Sequence, residues 1–166
     1  GREMTANILP SASAEKHYPI AFNLIPQIDV FCDNLYTKEE MKMVNETKKI
    51  MEDYEMRITA TTIRVPVYRS HSESVNIELE KEVDLGAMRE ALAKFPGVTV
   101  QDDPSKQEYP MPLYTSEKDD VYVGRLRRDE SWEKSYNMWV VGDQIRKGAA
   151  LNTLQIAETM IKNGWI

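Results

Sequence analysis

Thiol and imidazole chemistry are nearly missing from this sequence. One cysteine, Cys32, excludes an internal disulfide, and with only two histidines, His17 and His71, no Cys/His cluster has the spacing of a zinc site. No run approaches the roughly 18 apolar residues of a membrane helix, and the first eleven residues lack the hydrophobic stretch of a signal peptide, so a cytoplasmic protein without membrane contact is expected. Positive charge is outnumbered: 21 Lys and Arg against 27 Asp and Glu give a net charge of −6 and a pI near 5.1. That balance lacks the basic footprint of a nucleic-acid binder, so an anionic substrate needs a local Arg/Lys cluster. There is no internal repeat and no Gly-rich phosphate loop after a strand, so no dinucleotide-binding fold is expected within these residues.

What remains is ordinary globular material. The apolar fraction is 42%, the charged fraction 29%, and 166 residues fit one domain. The opening residues to Tyr18 are weakly patterned and begin with Gly, as at the start of a fragment. Tyr18 to Phe31, broken at Pro19 and Pro26, reads as two short extended pieces. Thr37 and Glu40 have the spacing of a capping box, and Met41, Val44, Lys48 and Met51 continue at helical steps, predicting a helix over Lys38 to Asp53. Asp84 can cap a second helix carrying Leu85, Met88, Leu92 and Phe95, ended by Pro96-Gly97. Val98 to Val100 predicts a short strand, Gln101 to Thr115 with its three prolines a loop, and Val121 onward and Asn137 to Val141 two further strands. Gly148 to Asn163 predicts a third helix packed on the sheet, with Ala150, Leu154, Ala157 and Ile161 on one face. The class is α+β: a mostly antiparallel sheet with helices largely on one face.

The most informative stretch is Arg57 to Glu80. Ile58, Ile63, Val65 and Val67 among Thr59, Thr61 and Thr62 predict one strand, its end demoted to an edge by Pro66. Val75, Ile77 and Leu79 alternate with polar residues in a second strand, and Arg69, Ser70 and His71 form the bend between. Arg64 and His71 would then stand near one end of a strand pair. Histidine is the usual general acid/base, which makes His71 a candidate; a surface or structural histidine is the plainer reading. Arg64, in an apolar and Thr-rich strand, needs a carboxylate or phosphate partner, which an internal Asp or Glu would also supply. His17 ranks below both. Cys32 has no basic neighbour to activate its thiol and reads as a small apolar residue. Glu39 and Lys42, one helical turn apart, read as a surface pair.

RVPVYRSHSESV, from Arg64 to Val75, resembles the active-site segment of aspartate-semialdehyde dehydrogenases. AFNLIPQIDVF (Ala21 to Phe31), TKEEMKMVNETKKI (Thr37 to Ile50) and KGAALNTLQIAE (Lys147 to Glu158) also resemble that family, in the family's order. The resemblance covers the C-terminal half of such an enzyme. It implies that residues 1–166 are a substrate-binding and dimerisation domain, with the NADP-binding domain and the nucleophilic cysteine of an SNCTT-like motif lying outside it. It further implies that His71 is the acid/base, that Arg64 grips the substrate α-carboxylate, that Glu39 meets the amino group and that Lys42 helps receive phosphate. Asn152 falls in the stretch that approaches the nicotinamide end of NADP. Cys32 does not match the nucleophile.

The implied enzyme interconverts L-aspartate 4-semialdehyde and L-aspartyl 4-phosphate with NADP(H) and phosphate, in the biosynthesis of lysine, threonine and methionine, as a homodimer. Without the cysteine and cofactor domain the 166 residues alone are expected to be inactive. The alternatives are a related reductase of an acylated glutamyl phosphate, which would not need Glu39 to meet a free ammonium, and a non-catalytic dimerisation or ligand-binding module.

Overall fold

The computed structural model describes residues 7–166, and the backbone gathers into two compact units that meet in sequence at Pro66 and Val67. In the first, β1 (Asn7–Ile8) pairs antiparallel with β2 (Tyr18–Pro19). Helix α1 (Lys38–Met51) starts where the sequence places it, because Thr37 and Glu40 form the full capping box. It ends at Met51, two residues short of Asp53, with Glu52 as a left-handed cap at φ 54°. Ile25, 5% exposed, and Pro10 are buried in this unit.

The predicted strand at Ile58 to Val67 does not form. Only Arg64 bridges, exchanging both backbone hydrogen bonds with Ile25 at 2.9 and 3.1 Å. The ladder stops for local reasons on each side. The next pair in one direction needs an N–H from Pro66, which has none. In the other direction the N–H of Thr62 is taken by the Glu40 carboxylate at 2.9 Å. β-branched composition made the segment extended; the ladder lacked donors. Arg64 and His71 therefore do not stand near one end of a single strand pair but belong to different units.

In the second unit β3 (His71–Glu78), α2 (Leu85–Lys94), β4 (Val98–Val100), α3 (Pro112–Thr115), β5 (Val121–Arg128), β6 (Ser135–Gly142) and α4 (Leu151–Lys162) follow in order. The sheet order is β3-β6-β5-β4, antiparallel except for the parallel β4–β5 pair. This is the expected α+β class. Tyr136 and Val141 on β6 are fully buried, beside Val123 and Leu126 on β5. Tyr136 fixes the approach to α2: its hydroxyl donates to the Val83 carbonyl and accepts the Val83 N–H, both at 2.7 Å. Arg89 of α2 reaches the buried Asp102 carboxylate at 2.8 Å and the Leu126 carbonyl at 3.0 Å.

β5 carries a one-residue bulge between Gly124 and Arg127, with Arg125 at φ 54°. Gly124 is required there, because a Cβ would overlap the Gln101 carbonyl oxygen and the Pro110 ring. The proline-rich segment 101–115 is more ordered than a loop. It holds a 3-10 turn at Pro104–Lys106 and α3, and Trp139 donates its indole N–H to the Pro110 carbonyl at 3.0 Å.

The third predicted helix needs two corrections. It begins earlier, with a π turn over Arg146–Ala150 that leads into α4. Nor is it packed on the sheet as expected: Leu154, Ile156 and Ile161 are 62%, 53% and 64% exposed. Amphipathic spacing identified the apolar face but not what covers it. Among the described residues no helix is long and apolar enough to cross a membrane.

Candidate functional site

Two groups of polar side chains emerge, one in each unit. In the first, Glu39 and Lys42 share one face of α1 and lie 3.7 Å apart, with Lys42 mostly exposed. Between them in sequence, Glu40 points inward and is 7% exposed. One of its oxygens accepts the Thr37 N–H at 2.8 Å and the other the Thr62 N–H at 2.9 Å. The Thr37 N–H above all, and then that of Thr62, outweigh the upward pull of burial and hold this carboxyl below the usual glutamate range. Glu40 thus ties the helix that carries Glu39 and Lys42 to the extended segment that carries Arg64, two residues beyond Thr62.

Arg64 is half-buried. Its Nη2 donates to the Pro10 carbonyl at 3.0 Å, while its Nε is buried without a partner. Among the described residues no carboxylate lies within ion-pair distance of it. The internal Asp or Glu that would have made this arginine purely structural is not found among the described residues. A guanidinium anchored by one N–H, with others unclaimed, can accept a planar anion in a two-pronged contact.

In the second unit the bend before β3 is built by partners distant in sequence. Ser70, 2% exposed, takes the left-handed conformation at φ 73°. Its N–H donates to Gln144 Oε1 at 2.8 Å, and its hydroxyl meets those of Ser116 at 3.1 Å and Thr115 at 3.2 Å. Arg69 Nη2 contacts the Asp143 carboxylate at 2.7 Å and Nη1 reaches Glu117 at 3.2 Å. Asp143 is fully buried and also accepts the N–H groups of Glu117, Ile145 and Arg146 at 2.7, 2.8 and 3.1 Å. Burial pushes its carboxyl upward. The three N–H groups and the Arg69 charge outweigh that push, and it lies below the usual aspartate range.

His71 follows this bend as the first residue of β3, opposite Gly142, on the edge strand of the sheet. It is exposed, and its ring makes no hydrogen bond to another described residue. Asn152 is exposed in the first turn of α4, its amide likewise without a described partner. The structure therefore pairs Glu39 with Lys42, links both to Arg64 through Glu40, and leaves His71 and Asn152 each presented outward from the second unit. His17 is exposed. Cys32 is half-buried in a tight turn, its N–H donating to the Tyr36 carbonyl at 2.7 Å.

Asp143 and Gln144 escaped the sequence reading, which named Ser70 only as part of the polar bend. Asp143 carried a signal, since an acidic residue between an apolar strand and a helical run is a capping position. Nothing local marked Gln144 or its link to Ser70, which spans 74 residues. Among the described residues no group of three or more His, Cys, Asp or Glu could hold a metal ion.

Residues 2–147 match the model of the semialdehyde dehydrogenase dimerisation domain. The chain belongs to that family. It is 49% identical over all 166 residues to an aspartate-semialdehyde dehydrogenase of Aquifex aeolicus, covering 47% of that protein. To the enzyme of the same name from Bacillus subtilis it is 50% identical over 161 residues, covering 46%. Among solved structures, aspartate semialdehyde dehydrogenase II of Vibrio cholerae complexed with ASA superposes with a TM-score of 0.83 at 43% identity, over 87% of this chain and 43% of that one. The dimerisation-domain chain thus spans about half the length of the curated relatives it matches.

Proposed function

We propose that this dimerisation-domain chain is the substrate-gripping and proton-handling half of an NADP-dependent aspartate-semialdehyde dehydrogenase. The observation that carries the reading is Arg64, a half-buried guanidinium with an unpartnered Nε and no carboxylate within reach among the described residues. An α-carboxylate of a small amino acid supplies the missing planar anion. Glu39 offers the opposite charge to the α-ammonium, and Lys42 a mobile cation to phosphate. His71, exposed and free of described partners, takes a proton from a thiol nucleophile and returns it, the work of a general acid/base. The thiol is not assigned to Cys32, whose half-buried turn offers it no activating base.

NADP⁺, when bound, accepts the hydride that leaves the substrate. The exposed Asn152 amide fits a single edge contact to its carboxamide; these residues offer no Gly-rich cradle for its phosphates, so most of its binding is assigned outside the 166 residues. The homodimer is assigned to this domain on the strength of its family, and the cytoplasm as its location.

Two results test the reading. The 166 residues by themselves are expected to be inactive, and phosphate-dependent reduction of NADP⁺ by the purified chain with aspartate semialdehyde would refute this. In the full-length enzyme, Arg64→Lys is expected to lower kcat/KM about 10- to 150-fold, the worth of a charged hydrogen bond, with folding preserved. An unchanged kcat/KM would remove Arg64 from the site.

A further inference from the structure

We propose that Gln144 is a positioning residue for His71: by accepting the Ser70 N–H it holds the left-handed bend from which His71 enters the sheet. This inference rests on reading His71 as the acid/base. His71 itself has little to fix it. It belongs to the last pair of an edge strand, the pair that frays first, and its exposed ring is held by no described hydrogen bond.

What precedes it is held firmly. Ser70 adopts φ 73°, a region that L side chains rarely occupy, and does so while almost completely buried. Such a conformation persists only where its surroundings over-determine it. The N–H of Ser70 donates to Gln144 at 2.8 Å, and its hydroxyl bonds to that of Ser116 and accepts from that of Thr115. Gln144 can serve as the anchor because its neighbour Asp143 is locked by four donors. Gln144 therefore transmits a fixed point after β6 to the residue directly before His71. Without its carbonyl, the buried Ser70 N–H is unpaired and the bend relaxes toward ordinary backbone angles, turning His71 away from the thiol it serves.

The test uses the full-length enzyme, with His71→Asn as the reference. Gln144→Leu removes the acceptor at similar bulk, and Gln144→Glu keeps one. Gln144→Leu is expected to lower kcat roughly 10- to 100-fold, as small displacements of a catalytic group do, with KM for the semialdehyde within about twofold. Gln144→Glu is expected to retain kcat within about threefold, because a carboxylate oxygen still accepts the N–H. Should the leucine variant fail to fold by circular dichroism, Gln144→Asn, one methylene short of Ser70, takes its place with the same expectation. A kcat unchanged in the loss variant, a loss confined to KM, or a glutamate variant as impaired as the leucine one overturns the proposal. If His71→Asn itself keeps full kcat, the acid/base reading fails, and the inference with it; if His71→Asn is inactive and the Gln144 loss variant is not, only the positioning role fails.

Discussion

Asp143→Asn isolates the strongest polar junction of the second unit. In the wild type, one oxygen accepts from Ile145 and Arg146 and the other from Glu117 and Arg69. An asparagine keeps one oxygen and turns the other into an NH2, so whichever way the amide is flipped, two donors face a donor. If the oxygen stays with Ile145 and Arg146, the Glu117 N–H is stranded, at about 1–3 kcal/mol. Arg69 then loses a buried partner, a change that costs about 3–5 kcal/mol when both charges are enclosed. Arg69 is 28% exposed and keeps Glu117, so water and the second carboxylate recover part of that loss. The expected total is about 3–5 kcal/mol, or a fall in Tm of roughly 6–20 °C for a chain of this size. All three tryptophans, Trp132, Trp139 and Trp165, lie in the second unit, so their fluorescence during urea unfolding reports on the right part of the chain. Glu90→Gln, in the exposed Glu90–Lys94 pair of α2, serves as a control expected to change stability by about 0.5 kcal/mol or less. A change below about 1 kcal/mol for Asp143→Asn would show that the junction adds little to stability.

Further outcomes follow from the same contacts. Gly124→Ala forces a methyl onto the Gln101 carbonyl and the Pro110 ring and is expected to cost at least about 1–3 kcal/mol by urea unfolding, whereas neutrality would contradict the close approach at the bulge. Tyr136→Phe strands both the Val83 N–H and its carbonyl and is expected to cost about 1–3 kcal/mol, measured in the same way. Asp143 and Glu40 both have folded pKa values below their ordinary ones, so their stabilisation is complete above the unfolded range, roughly pH 4–5, and is lost as the pH falls below it through the folded values. The stability gap between wild type and Glu40→Gln is therefore expected to narrow from pH 6 to pH 3; a constant gap would contradict an ionised Glu40.

Which features could be read from the sequence follows from how local their causes are. The capping box at Thr37 and Glu40 and the cap at Asp84 act over three residues, and both helices start where those residues place them. β3 and β6 show their alternation or apolar run directly, and they pair. Ile58 to Val67 has the composition of a strand, yet its ladder was limited by a proline two residues past Arg64 and by Glu40, 22 residues before Thr62. The candidate site divides in the same way. Residue types and the family resemblance singled out Arg64, His71, Glu39, Lys42 and Asn152. The groups that hold the His71 bend, Asp143 and Gln144, act across 26 to 74 residues, and of these only the capping position of Asp143 leaves a local trace in the sequence.

The central proposal is that His71 handles the proton of the reaction and that Arg64 binds the substrate carboxylate. Its most direct test is the rate of phosphate-dependent NADP⁺ reduction with aspartate semialdehyde by the full-length enzyme and its His71→Asn variant. The expected result is an active wild type and a variant whose kcat falls roughly 10²- to 10⁴-fold while the fold is retained. A His71→Asn enzyme with the wild-type kcat would contradict the claim.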